Sequence, residues 1–304
     1  MTNLEVIHRP EVAGQFNGHS MVGRLRRVMV CSPRGAGWDD PKRLAHWKEL
    51  GFLHAPDFAV AQSQHEQLCR ILEDAGADVF QMGGSAGLTL DAVYAHDASL
   101  PSDFGVILMH PGKANRVSEG RAQSAFLATV EIPVLGEVTA PGNTEAGDIV
   151  WLDRQTLLVG HGYRTNPAGI AQMRDMLKPH GVEVLTAPLP YGPGPSACLH
   201  LMSLISLLDE NTALVDLPWL AVETVELLKS RGYRFIEIDS SERETLASNV
   251  LSLGEKRLVA IEANTKTNAR LRQAGFEVST FPGSEICIDG SGGPTCLTRP
   301  LLRG

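Results

Sequence analysis

The stretch DIVWLDRQTLLVGHGYRTNPAGIAQMRDMLKPHGVEVLTA, residues 148–187, decides the fold. It opens with two apolar runs joined by Asp153-Arg154-Gln155, the composition of a hairpin turn. Asn166-Pro167 then supplies a helix cap and a first-turn proline. Ile170, Met173 and Leu177 follow at helical spacing, and Gly181 closes the helix, because glycine enters the left-handed conformation of a C-terminal cap without steric penalty. The apolar strand VEVL comes next. The phrase therefore reads strand, strand, helix, strand.

The same phrase recurs along the chain. EDAGADVFQM around Gly76, KSRGYRFIEI around Gly232 and RQAGFEVSTF around Gly275 repeat the helix, glycine, strand ending. SLISLLDENTALVDL, turning near Glu210-Asn211, and NVLSLGEKRLVAIEA, turning near Gly254, repeat the hairpin. The gap between Gly76 and Gly181 is about twice the later spacings, and RAQSAFLATVEIPVL at 121–135 fits the missing copy without a glycine stop. Five copies account for nearly the whole chain. A unit that cannot bury its own apolar face must stack on its neighbours, and five such units predict a closed ring: an α/β fold with fivefold pseudosymmetry in one domain, residues 1–304. An open sheet with alternating helices is the competing architecture. The hairpin in each unit favours the ring, since a doubly wound fold places single strands between helices.

Composition narrows the function. With 43% hydrophobic and 20% charged residues, the 304-residue chain can bury a substantial core. A net charge of −8 argues against nucleic acid as a partner, since phosphate binding needs clustered Lys and Arg. The absence of a long apolar run argues against a membrane span, and MTNLEVIHRPEVAG at the N-terminus lacks the basic-then-apolar pattern of a signal peptide. Cys31, Cys69, Cys198, Cys287 and Cys296 are scattered and odd in number, without a CxxC pair. They predict neither a disulfide framework nor a zinc site, but a reducing, cytoplasmic setting. Neither a metal nor an organic cofactor is expected. The sequence is compatible with a homo-oligomer and decides nothing about it.

Four polar clusters fall at similar points of different repeats, and in a ring such points converge on the axis. They are DAVYAHDASL with Asp91, His96 and Asp97; TAPGNTEAGDIVWL with Glu145 and Asp148; SACLHLMS with Cys198 and His200; and CIDGSGGPTCLTRPL with Cys296. A cysteine beside a histidine can attack as a thiolate, and the histidine can protonate a leaving amine and then activate water. Carboxylates match a planar, cationic guanidinium in two-point contacts. Cys31, Cys69, Cys198 and Cys287 sit among apolar neighbours and read as core cysteines. Cys296, after Gly292-Gly293-Pro294-Thr295, is an even choice between core and function on its own surroundings. His200, between Leu199 and Leu201, reads on its own more readily as a satisfied core residue.

Taken together and in this order, from VGRLRRVMVCSPR at 22–34 to TCLTRPL at the C-terminus, the clusters resemble the guanidino-group modifying enzymes. These are the dimethylarginine dimethylaminohydrolases, arginine deiminases and amidinotransferases. The resemblance is densest at APGNTEAGDIVWL, GHGYRTNPAG and CLHL. It implies the pentein fold, a propeller of five ββαβ units. It implies Cys296 as nucleophile, His200 as general acid and base, and Glu145 as the carboxylate that supports catalysis and binds near the guanidinium. Asp97 would grip the guanidinium nitrogens, Asp91 would meet an α-amino group, and Arg116 and Arg164 would clamp an α-carboxylate. His96 departs from the family: the dimethylarginine branch carries glutamate there, and the deiminases and amidinotransferases carry arginine. Met202 stands where deiminases and amidinotransferases have aspartate, which leaves a less polar wall with room for N-methyl groups. The expected reaction is hydrolysis of an N-methylated L-arginine to citrulline and a methylamine through a thiouronium intermediate. An arginine deiminase-like hydrolase and an amidinotransferase are the alternatives, with a non-enzymatic binder of the same fold behind them.

Overall fold

In the computed structural model, which describes residues 15–304, every copy of the repeat forms one small sheet. The N-terminal segment read above for a leader lies outside the described residues. The first unit contains β1 (Leu25–Val30), two single-turn helices α1 (Pro41–Leu44) and α2 (Trp47–Leu50), the long helix α3 (Phe58–Asp74) and β2 (Asp78–Gln81). The second contains β3 (Ser99–Ser102), β4 (Gly105–Leu108), α4 (Glu119–Thr129) and β5 (Val134–Glu137). The third contains β6 (Ile149–Asp153), β7 (Thr156–His161), α5 (Pro167–Leu177) and β8 (Glu183–Pro188). The fourth contains β9 (Ile205–Asp209), β10 (Thr212–Val215), α6 (Val222–Ser230) and β11 (Arg234–Glu237). The fifth contains β12 (Leu251–Gly254), β13 (Arg257–Ile261), α7 (Thr265–Gln273) and β14 (Glu277–Phe281), and β15 (Thr298–Arg303) ends the chain.

The pairing is the same in the last four units: the hairpin is antiparallel, and the strand after the helix runs parallel to the second hairpin strand. The first unit differs from the reading of a hairpin before each helix. Its inner strand comes from the other end of the chain, because β15 pairs antiparallel with β1 while β2 pairs parallel with it. That pairing closes the ring and joins the chain ends within one sheet. The fold is therefore the fivefold α/β propeller expected.

Local chemistry explains the elements. Asn166 accepts from the Gly169 N–H at 2.8 Å and caps α5, with Pro167 in its first turn. Gly76, Gly181, Gly232 and Gly275 end their helices with φ between 74° and 91°. In the second unit Glu131 takes the same place with φ of 57°. That is why this copy carries no glycine, and the arrangement strains a side-chain-bearing residue. The Glu255-Lys256 turn of the fifth hairpin has φ of 54° and 62°, the primed geometry that follows strand twist. β4 and β10 are buried throughout, each the middle strand of its three-stranded sheet and paired on both edges.

The innermost strands are β3, β6, β9, β12 and β15, and all five contribute side chains to one axial cavity. β3, β6, β9 and β15 each begin within or just after one of the four polar clusters, and β12 begins two residues after Asn249. Among the described residues, no helix is long and apolar enough to cross a membrane.

Candidate active site

Five chain segments reach the axis at the entry of an inner strand. They bring Asp97 two residues before β3, Glu145 and Asp148 before β6, His200 before β9, Asn249 two residues before β12, and Cys296 two residues before β15. A cavity of about 590 Å³ opens over this end of the axis. Cys296, His200, Asp97, His96, Met202 and Arg164 line it, together with Asp91, Arg116 and Asn249.

His200 is the most tightly fixed member. Its Nε2 lies 2.7 Å from Glu145 Oε2, and its backbone N–H donates to Ser203 Oγ at 3.0 Å. Asp148 accepts from the next backbone N–H, Leu201, at 3.0 Å and from Thr165 Oγ1 at 2.6 Å, which anchors the segment. Burial lowers the proton affinity of the His200 ring. The Cys198 sulfur and the Asp97 and Asp148 carboxylates outweigh it and hold the ring well above its usual pKa. Burial pushes the Asp148 carboxyl up to about 6.

Glu145 is fully buried and saturated. Oε1 accepts from the Lys113 N–H at 3.1 Å and Arg164 Nη1 at 3.2 Å, and Oε2 contacts Arg164 Nη1 at 3.1 Å and His200 Nε2 at 2.7 Å. A carboxylate offers about four lone-pair sites, so Glu145 has none left for a guanidinium. It holds the imidazole instead, which corrects the expectation that it also binds near the substrate cation. Burial alone would raise its pKa; His200 and Arg164 bring it down to about 2.

Asp97 keeps room. Oδ1 accepts from the Gly147 N–H at 2.9 Å, and Oδ2 pairs with Arg116. Burial opposes ionisation, but Arg116 and the two histidines hold Asp97 well below the usual carboxylate range. Two lone-pair sites remain for a bound cation. Gly147 permits this closeness: a Cβ there would sit 2.5 Å from His200 Nδ1 and 2.8 Å from Asp97 Oδ1.

Arg116 does not present a free fork. Nε and Nη2 donate to Glu119 at 2.8 and 2.7 Å, Nη2 also to the Tyr94 carbonyl at 2.8 Å, and Nη1 to Asp97. These bonds commit it to Asp97, against the expected grip on an α-carboxylate. Arg164 uses only Nη1 on Glu145 and lines the cavity. Asp91 also lines the cavity, with Lys113 Nζ 2.6 Å from its Oδ2.

Cys296 takes a contact that the sequence reading missed. Asn249 Nδ2 donates to its Sγ at 3.0 Å, and Asn249 Oδ1 accepts from the Thr295 N–H at 3.0 Å. Gly293 is needed beneath that amide, where a Cβ would come within 2.6 Å. Burial and the nearby Asp97 charge push the thiol up to about 12, with His200 and the Asn249 bond pulling the other way. His96 is held by its Nδ1 on the Thr298 carbonyl at 2.9 Å, and its backbone N–H donates to the Cys296 carbonyl at 3.0 Å. Burial and the Arg299 charge push the His96 ring down to about 3, so it is neutral at pH 7. Met202 is buried beside it on the cavity wall.

Cys31, Cys69 and Cys287 are core cysteines as expected, but Cys198 is not. It is exposed on the cavity wall with Sγ 3.9 Å from His200 Nδ1. Asp97, Glu145 and His200 also bring ligand atoms within 4.8 Å of one another, a spacing that can hold a metal ion. Their bonds to Arg116, Arg164 and each other already balance that charge.

Known guanidine-modifying enzymes resemble this chain in sequence and fold. A family model for arginine deiminase matches residues 217–303. An N(G),N(G)-dimethylarginine dimethylaminohydrolase of Pseudomonas aeruginosa is 27% identical over 252 residues, covering 81% of this chain and 90% of that protein. A solved structure of the Pseudomonas aeruginosa enzyme, a cysteine-to-serine variant complexed with citrulline, superposes with a TM-score of 0.71 at 25% identity, covering 92% of this chain and all of that one. This chain belongs to the dimethylarginine dimethylaminohydrolase and arginine deiminase superfamily. The N-terminal domain of a cyanobacterial arginine dihydrolase, bound to product, shares the superfamily fold with a TM-score of 0.76 at 20% identity, covering 91% of this chain and 97% of that one. Within this superfamily frame, Asn249 was findable, because it occupies in the fifth unit the place that Asp97 occupies in the second.

Proposed function

We propose that the chain, as one catalytic domain, is a cysteine-dependent hydrolase of a guanidino amino acid, with N-methylated L-arginine as its substrate. The observation that carries this reading is the convergence of Cys296, His200 and Asp97 on one cavity, with Glu145 fully committed to orienting His200. The remaining lone pairs of Asp97 accept guanidinium N–H groups. The substrate's positive charge offsets Asp97, so the Cys296 thiol ionises as substrate binds and its proton passes to solvent. The thiolate attacks the central guanidinium carbon. His200, protonated, gives its proton to the departing amine and leaves an S-alkylthiouronium on Cys296. Neutral His200 then takes a proton from water, the hydroxide adds to the same carbon, and collapse returns the thiol and a ureido product.

Met202 and neutral His96 support the N-methyl preference. An aspartate in place of Met202 would claim further N–H groups, whereas a thioether and a neutral ring accept alkyl substituents. Arg164, with Nη2 and Nε free of Glu145, suits an α-carboxylate, and Asp91 beside Lys113 suits an α-amino group. Such a free-thiol enzyme fits a reducing, cytoplasmic setting.

A panel of guanidines with products identified by mass tests the reading. Release of citrulline and methylamine from methylated L-arginine supports it. Turnover restricted to L-arginine, with ammonia released, assigns the deiminase alternative that the family match favours. Turnover that requires an added amine assigns amidino transfer.

A further inference from the structure

Beneath the catalytic cavity the inner strands enclose a second space of about 40 Å³. His96, Met202 and Thr295 are its shared wall with the active site. Arg299 and Arg303 of β15 and Trp151 of β6 also line it. Arg299 is 3% exposed, and its Nε and Nη2 have no hydrogen-bond partner among the described residues. Arg303 is 5% exposed; its Nη1 donates to the Gly23 and Ser252 carbonyls at 2.6 and 2.9 Å, and its Nε has no partner. Trp151 Nε1 is likewise buried without an acceptor.

These are two buried cations of like sign. Among the described residues neither forms an ion pair; the one carboxylate acting on Arg299 is Asp97, which is bonded to Arg116. Taking a guanidinium out of water is unfavourable unless a counter-charge meets it. Burial lowers Arg299 to about 9 and Arg303 to about 10, so both still carry charge at neutral pH. The space selects its guest by chemistry. Among the described residues, its fully buried side-chain groups without a partner are donors, Arg299 Nε and Nη2, Arg303 Nε and Trp151 Nε1, set against the acceptor Nε2 of neutral His96 on the shared wall. The Ser206 and Ser252 hydroxyls on its wall already donate to the Ser248 and Leu208 carbonyls, at 2.7 and 3.0 Å. A guest that only accepts fits this donor excess better than water, which must place two hydrogens of its own. Since one water needs roughly 10–15 Å³, the space admits a halide with a water or two, and not a hydrated oxyanion.

We propose that the axial space binds a small monovalent inorganic anion, of the size and charge of chloride, held by the guanidinium groups of Arg299 and Arg303 and the indole N–H of Trp151. The anion supplies the counter-charge that lets two arginines stand in the core of the ring, one layer below the catalytic cysteine.

The test uses the full chain in potassium gluconate, chloride or bromide at matched ionic strength. Chloride and bromide raise the thermal midpoint saturably over gluconate, and at ten times the dissociation constant they raise the folded-to-unfolded ratio about elevenfold. Arg299→Met loses that increment while remaining folded by circular dichroism. Wild-type crystals soaked in bromide give an anomalous peak between the two guanidinium groups, a readout that stands if the variant does not fold. Three results would overturn the proposal: equal stabilisation by gluconate, an increment retained in Arg299→Met, or density in the space without anomalous signal. A bromide peak without any solution increment would mark an adventitious ion only, and also counts against it. None of these readouts depends on the catalytic assignment.

Discussion

Truncating Asn249 to alanine removes the one hydrogen bond that the described residues donate to the Cys296 sulfur, at 3.0 Å. A hydrogen bond contributes about 1 kcal/mol when its acceptor is neutral and about 1.5–3 kcal/mol when it is charged. The bond therefore favours thiolate over thiol by about 1 kcal/mol, or about 0.7 pKa unit. Asn249→Ala should raise the Cys296 pKa by about that much and slow alkylation below the pKa by roughly fivefold. Asn249→Asp keeps the acceptor for the Thr295 N–H but places a carboxylate at the sulfur, and should raise the pKa further. The assay is iodoacetamide labelling across pH, quantified by mass spectrometry on the peptide that holds Cys296, so that exposed Cys198 does not contribute. A Cys296 alkylation pKa in folded Asn249→Ala equal to that of wild type would refute the reasoning.

Gly147→Ala should keep the fold, since the added methyl meets side-chain atoms, but should cut kcat about a hundredfold or more by displacing His200 or Asp97; steady-state kinetics with a thermal melt check it. Asp148 gives a stability prediction. Its folded pKa, about 6, lies above the usual aspartate value of 3.8, so it contributes stability that is present below the unfolded pKa and lost as pH rises through the folded one. Wild type should lose about 3 kcal/mol from this group between roughly pH 4 and 7. Asp148→Asn can keep both hydrogen bonds and should flatten that slope in urea melts across pH.

The ring was legible because its unit repeats a helix, a left-handed glycine and an apolar strand. The second copy was harder to see, because Glu131 takes the left-handed place of that glycine. Closure by β15 was hidden for a different reason: TRPLLR pairs with β1 across nearly the whole chain, and local pattern carries no sign of such a partner. Cys296, His200 and Asp97, which line one cavity, could be singled out from motifs at equivalent points of the repeat. Asn249 could have been found in the same way, but a lone asparagine before a strand carries no catalytic motif. The identity of ion-pair partners was beyond the sequence. Arg116 and Arg164 look alike there, and only packing shows that one is committed to Glu119 and Asp97 while the other keeps nitrogens for the cavity. Cys198 misled through its apolar neighbours, which belong to a segment lining the cavity rather than to the core.

The central claim is that Cys296 forms a covalent bond to the guanidinium carbon. Acid quenching of the enzyme during turnover of methylated L-arginine, followed by peptide mass spectrometry, measures it most directly. An increment equal to the substrate less its methylamine is expected on the peptide containing Cys296, absent from Cys296→Ser. Full turnover by Cys296→Ser, or the same increment on Cys198 with none on Cys296, would contradict it.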